Sequence, residues 1–83
     1  MTQMHEYALM ITATVSGFPG KTSKELQSMP DCWLNSMAVF SVDRILTEAE
    51  NKRYVSCRSD KNNDLRYWAT QKGKKEYRKY NSP

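Results

Sequence analysis

The chain has 83 residues, 39% of them hydrophobic, with nine aromatics; this sets one small domain with a limited core and excludes a disordered chain. Its net charge of +4 is unevenly spread: residues 1–51 carry three Lys/Arg against six Asp/Glu, and residues 52–83 carry ten against three. A basic half favours a polyanionic partner, most often nucleic acid, and the plainer alternative is a solvated face with a basic tail.

No stretch approaches the roughly 18 apolar residues of a membrane span, so no membrane partner is expected. The opening "MTQMHEYALMITATVSGF" has no basic leading segment and its apolar residues are interrupted. Without a secretory signal, the two cysteines, Cys32 and Cys57, are expected to be reduced thiols in a cytoplasmic protein.

Met4, Tyr7, Ala8, Ile11, Val15 and Phe18 recur at i, i+3 and i+4 spacing and predict a first helix over residues 4–18. The β-branched run "ALMITATV" is the competing strand reading. Gly17, Pro19 and Gly20 stop this element. In "KTSKELQSM", Thr22 or Ser23 can cap a second helix, and Thr22 with Glu25 would form a capping box. Leu26 and Met29 are its expected buried pair, and Pro30 ends it. Asp31 is expected to cap a third helix running to about Asn51. Its inward stripe would pass from Trp33 or Leu34 through Met37, Phe40 or Ser41, then Ile45 and Ala49, widened by Val42 and Leu46. Lys52 and Arg53 suit the negative end of that helix.

The period then changes to two. Val55 and Cys57 share one face of "RYVSCR", with Tyr54, Ser56 and Arg58 on the other. Leu65, Tyr67 and Ala69 share one face of "LRYWA", with Arg66 and Trp68 on the other. Two such runs around "SDKNND" predict a β-hairpin whose Asn and Asp residues supply the turn without glycine. Trp68 would pack on the first helix or mark a partner surface. Thr70 is expected to cap a last short helix, with Tyr77 and Tyr80 on its buried side.

The predicted order is α-α-α-β-β-α, a mostly α chain with a small β-hairpin (α+β). Here a resemblance enters. "TSKELQSM", a break and an apolar-periodic helix resemble a helix-turn-helix over about residues 22–51. The hairpin over about 53–69 resembles the wing of a winged helix-turn-helix domain, followed by a helix over about 70–80. "LRYWATQKGKKEY" is similar to the wing-closing pattern V-x-L-T-x-x-G, with Tyr67, Ala69, Thr70 and Gly73 on its positions. "AENKRYV" is similar to L-E-x-x-G-L-V, except that Arg53 stands where the glycine usually does. The resemblance covers about residues 4–80 and is to small bacterial or phage regulators.

It implies a DNA-binding regulator of transcription that occupies a duplex site through the third helix and the wing. Asn35 and Ser36, at the exposed start of the third helix, would then read bases, since Asn can pair bidentately with adenine. Ser23 and Lys24 would lie near phosphate. Lys52, Arg53, Arg58, Lys61, Asn62, Asn63 and Arg66 would present the wing to the backbone or minor groove. Two alternatives stand beside this one. The third helix has no Lys or Arg before Arg44 and carries Asp43, so Trp33, Leu34, Val39 or Phe40 could instead face a protein partner or a second copy. An excisionase-like architectural DNA binder is the other. An enzyme is not expected: His5 is the single histidine, it has no metal-ligand spacing with the cysteines, and no glycine-rich phosphate loop occurs. No cofactor or metal is expected either.

Overall fold

The computed structural model describes residues 3–81. Helix α1 spans Gln3–Gly17 and buries Ala8, Leu9, Ile11, Thr12 and Val15, so the helical period prevails over the β-branched composition of this segment. The one polar member of that stripe, Thr12, is satisfied by donating its hydroxyl to the Ala8 carbonyl at 2.7 Å. Phe18 does not continue the stripe; it lies past the end of α1 and is 53% exposed.

Gly20 takes a left-handed φ of 78° and turns the chain alongside the later hairpin. Its N–H donates to the Tyr67 carbonyl at 2.8 Å, and the Tyr67 N–H donates to the Lys21 carbonyl at 3.1 Å. Lys21 thus forms an antiparallel bridge with Tyr67. Helix α2, Ser23–Gln27, follows with the expected capping box: Thr22 Oγ1 accepts from the Glu25 N–H at 3.1 Å, and Glu25 Oε1 accepts from the Thr22 N–H at 2.9 Å. Leu26 is fully buried below it.

The third helix starts later than the sequence suggests. Asp31 does not cap it: its φ is 56°, a left-handed turn residue. The chain instead makes a 3₁₀ turn, Trp33–Ser36, then two extended residues, Met37 and Ala38, and only then helix α3, Val39–Asn51. Side chains hold this arrangement. Asn35 Nδ2 donates to the carbonyls of Gln27 and Met29, and Asn35 Oδ1 accepts from the Cys32 N–H at 3.3 Å. Gln27 Nε2 donates to the Met37 carbonyl at 3.1 Å. Such side chain-to-backbone bonds offer the chain an alternative to the helical ladder. The later start sets the phase of α3, which buries Val42, Ile45, Leu46 and Ala49 and turns Phe40 outward, 70% exposed.

Helix α3 ends in a Schellman motif. The Arg53 N–H donates to the Glu50 carbonyl and the Tyr54 N–H to the Ala49 carbonyl, both at 2.9 Å. Arg53 itself is left-handed, with φ 64°, so it adopts the conformation that glycine usually supplies there. Tyr54, which alternation places on the outer face, is buried beside Ala49 by this motif.

Strands β1, Val55–Ser59, and β2, Leu65–Ala69, pair antiparallel with Cys57 opposite Tyr67. Val55 and Tyr67 enter the core, with Cys57 and Ala69 half-buried against it. Leu65, expected inside, is 51% exposed at the far end of the hairpin. Thr70 caps helix α4, Gln71–Asn81, by accepting the Gly73 N–H at 3.0 Å. Tyr77 packs on the core; Tyr80, expected to do so, is 43% exposed. Helix α1 packs against α3, α4 and β2. The result is a mostly helical α+β arrangement with one two-stranded hairpin. No helix among the described residues is long and apolar enough to cross a membrane.

Candidate nucleic-acid interface

The residues expected to meet DNA fall into three places. Lys24 is exposed and Ser23 half-buried at the start of α2. A groove of about 670 Å³ opens beside them, lined by Thr22, Lys24, Glu25, Asp43, Asp64 and Arg66 among others. Its charges are mixed, with carboxylates in the majority.

Asn35 and Ser36 are exposed but do not lie on α3. Asn35 has its amide and carbonyl oxygen engaged by the backbone around α2, which removes both groups from any bidentate base contact. Ser36 Oγ lies 3.5 Å from the Trp33 carbonyl. Trp33 is likewise internal: its Nε1 donates to Thr14 Oγ1 at 3.0 Å and its ring stacks on Tyr7 at 5.8 Å. The outer side of α3 instead presents Val39, Phe40, Asp43, Arg44 and Thr47. With Glu48 and Glu50, this helix carries three carboxylates against one guanidinium. Lys52 sits just past its end, 3.7 Å from Glu48, and Arg53 is exposed beside it.

The hairpin tip is built around Asp60. Its Oδ1 accepts from the N–H groups of Asn62 at 2.8 Å and Asp64 at 3.1 Å. Its carbonyl accepts from the Asn63 N–H, its own N–H donates to the Asp64 carbonyl, and Asn63 takes φ 65°. This matches a three-residue hairpin loop closed by a left-handed residue, with Asn in place of glycine. Asp60 Oδ2 accepts from Arg66 Nε at 2.8 Å. Arg66 Nη1 also donates to the Gly20 carbonyl at 2.8 Å and to Glu25 Oε1 at 3.2 Å. The Arg66 bond, followed by the two backbone N–H groups, holds the Asp60 carboxyl below its usual range. Glu25 is lowered too, first by the Thr22 N–H. The same Asp60 bond raises Arg66. Arg66 is therefore a brace between the hairpin, α2 and the Gly20 turn, not an uncommitted phosphate donor.

Lys61, Asn62 and Asn63 remain exposed on the braced tip. Arg58 is exposed on β1, with its guanidinium 6.0 Å from the Trp68 ring centroid, within cation–π range. Trp68 does not simply face solvent; its indole lies against Gly20, where a Cβ would stand 3.5 Å away. Burial pushes the Cys57 thiol up, toward an inert protonated form. On α4 the helical spacing of "KGKKEYRK", expected to form a last short helix, leaves Lys72, Lys75 and Lys79 exposed. In comparisons with known proteins, the chain matches no family model, no curated protein and no solved structure.

Proposed function

We propose that the chain is a small winged helix-turn-helix protein that binds duplex DNA and regulates transcription by occupying its site, in the cytoplasm of a bacterium or a phage-infected cell. The observation that carries this reading is the hairpin. It follows α2 and α3, has Lys21 bridged to β2, and holds Lys61, Asn62 and Asn63 out on a tip braced by Asp60 and Arg66. The exposed Lys61 on this braced tip, flanked by Asn62 and Asn63 and by the carboxylates of Asp60 and Asp64, offers one cation to a phosphate backbone, a contact that supplies affinity rather than sequence choice. The outer side of α3, with three carboxylates against one guanidinium, repels phosphate and counts against strict operator reading through that helix, so within this reading the chain is closer to an architectural binder. Titration of labelled duplexes between about 50 and 200 mM salt tests it. Affinity should fall with salt, and Lys61→Ala should reduce the slope of log K against log salt by about 1. Absence of any salt-dependent binding at low salt would overturn the reading.

Phe40 favours a second reading, a protein-interaction module. It is 70% exposed at the start of α3, next to Val39, and an exposed apolar cluster marks association surfaces. A second copy is the simplest partner. Sedimentation should then show concentration-dependent self-association that Phe40→Ser removes. A monomer at all concentrations rules out the homodimer.

A further inference from the structure

Helix α4 carries five Lys/Arg in eleven residues, with Glu76 as its single carboxylate. The buried side of the helix is set by Gly73 and Tyr77, leaving Lys72, Lys75 and Lys79 exposed. These three recur at i, i+3 and i+7, which places them in one stripe. All three, with Gln71 and Glu76, line one shallow surface depression of about 300 Å³. Among the described residues, Lys72 and Lys75 have no ion-pair partner, and Lys79 has Glu76 at 3.8 Å.

This arrangement opposes helix stability. No acidic residue occupies the first turn, where Lys72 and Lys74 face the positive end of the helix dipole. Lys72–Lys75, Lys75–Lys79 and Lys74–Arg78 are like-charge neighbours one turn apart. A face kept for solubility alone would mix both signs, as α3 does. Local rules broken without a structural gain point to a ligand. The geometry fits a polyanion of regular spacing. At about 1.5 Å per residue the stripe runs about 10 Å, comparable with the axial run of a few consecutive phosphates, at about 3.4 Å per interval, along one DNA strand.

We propose that Lys72, Lys75 and Lys79 form a second, sequence-independent contact with the phosphate backbone of duplex DNA, apart from the hairpin tip. This rests on the DNA-binding reading above and assigns the main electrostatic share of binding to α4 rather than α3. The test uses the full chain, the triple variant Lys72→Gln, Lys75→Gln, Lys79→Gln, and duplexes of unrelated sequence. Glutamine keeps helix propensity, and removing the repulsion should leave the melting temperature unchanged or higher. The triple variant should reduce the salt slope by about 2.7, so that between 50 and 200 mM salt the native chain loses about fortyfold more affinity than the variant. Lysine-to-arginine changes at the same three positions should preserve the native slope, and the effect should be equal on every duplex. An unchanged slope in the triple variant, alongside a reduced one in Lys61→Ala, overturns the stripe and leaves the DNA reading standing. If the native chain shows no salt-dependent binding, both fall together.

Discussion

Arg53 holds a left-handed backbone that costs an L-residue about 1–2 kcal/mol relative to the right-handed region. It does so because the Schellman motif requires it, with its N–H committed to Glu50 and that of Tyr54 to Ala49. Arg53→Gly relieves the strain but gives up some unfolded-state entropy. A net gain of about 0.5–1 kcal/mol is expected, visible as a rise of several degrees in Tm. A lower Tm would mean that the Arg53 side chain contributes more than its backbone costs. Gly73 is the opposite case. A Cβ there would collide with the Tyr54 carbonyl oxygen and stand 2.8 Å from Thr12 Cγ2. Backbone on one side and a buried side chain on the other leave little room to yield, so Gly73→Ala should cost about 2–3 kcal/mol, read by urea denaturation. Asp60 links the residue scale to pH. Its carboxyl is lowered from 3.8, chiefly by Arg66. A lowered carboxyl contributes stability above its ordinary value and loses that contribution as pH falls through its folded value; Glu25 acts in the same direction. The hairpin tip should loosen below about pH 4, seen as a loss of protection at the Asn62 and Asp64 amides relative to their intrinsic exchange rates at each pH. Asp60→Asn, which keeps an acceptor but no charge, should lose that pH step, and a step that persists would assign it elsewhere.

At the scale of elements, what was legible was local. The Thr22–Glu25 capping box and the Thr70 cap each lie within one turn of chain, and both form as the sequence suggests. The pattern over residues 54–69 also gave the hairpin and most of its inward side. The start of α3 was not legible, because its determinants are Asn35 bonds reaching back six and eight residues, to Met29 and Gln27. A stripe phased from Asp31 therefore leaves Phe40 or Ser41 as its inward member and sets Asn35 on the start of the helix, whereas Phe40 is exposed, Ser41 half-buried and Asn35 precedes α3. Asn35→Ala should destabilise the fold by about 1–3 kcal/mol while leaving the DNA affinity of the folded fraction within about twofold. A large specific loss on one sequence with unchanged stability would restore the base-reading role. The bracing role of Arg66 was not legible for a similar reason: Glu25 and the Gly20 carbonyl are 41 and 46 residues away in the chain, and only folding brings them together.

For the whole molecule, the radius of gyration of 11.9 Å matches the roughly 12 Å of a compact single domain of this length. Helix α1 touches α3, α4 and β2, so losing it removes support from every other large element. One cooperative unfolding transition is expected. Trp68 on the hairpin provides a fluorescence probe once Trp33 is replaced by Phe, and circular dichroism follows the helices. Coincident midpoints support one unit; an earlier hairpin transition would divide it in two. The charge division seen in the sequence survives folding as a division of elements, with carboxylates in excess on α3 and cations in excess on α4, while the hairpin mixes Arg58, Lys61 and Arg66 with Asp60 and Asp64.

The hairpin is closed at its base as firmly as at its tip. The Thr70 N–H and hydroxyl both reach the Tyr54 carbonyl, and the hydroxyl also lies 2.6 Å from that of Arg53. Both strands are therefore anchored independently of the loop that joins them: β1 through the end of α3, β2 through Lys21 and through α4 on α1. A single peptide-bond cut after Lys61 should leave the two pieces docked. Gel filtration of the cut chain should then show residues 1–61 and 62–83 eluting together, and separate elution would mean that the loop is needed to hold the two strands.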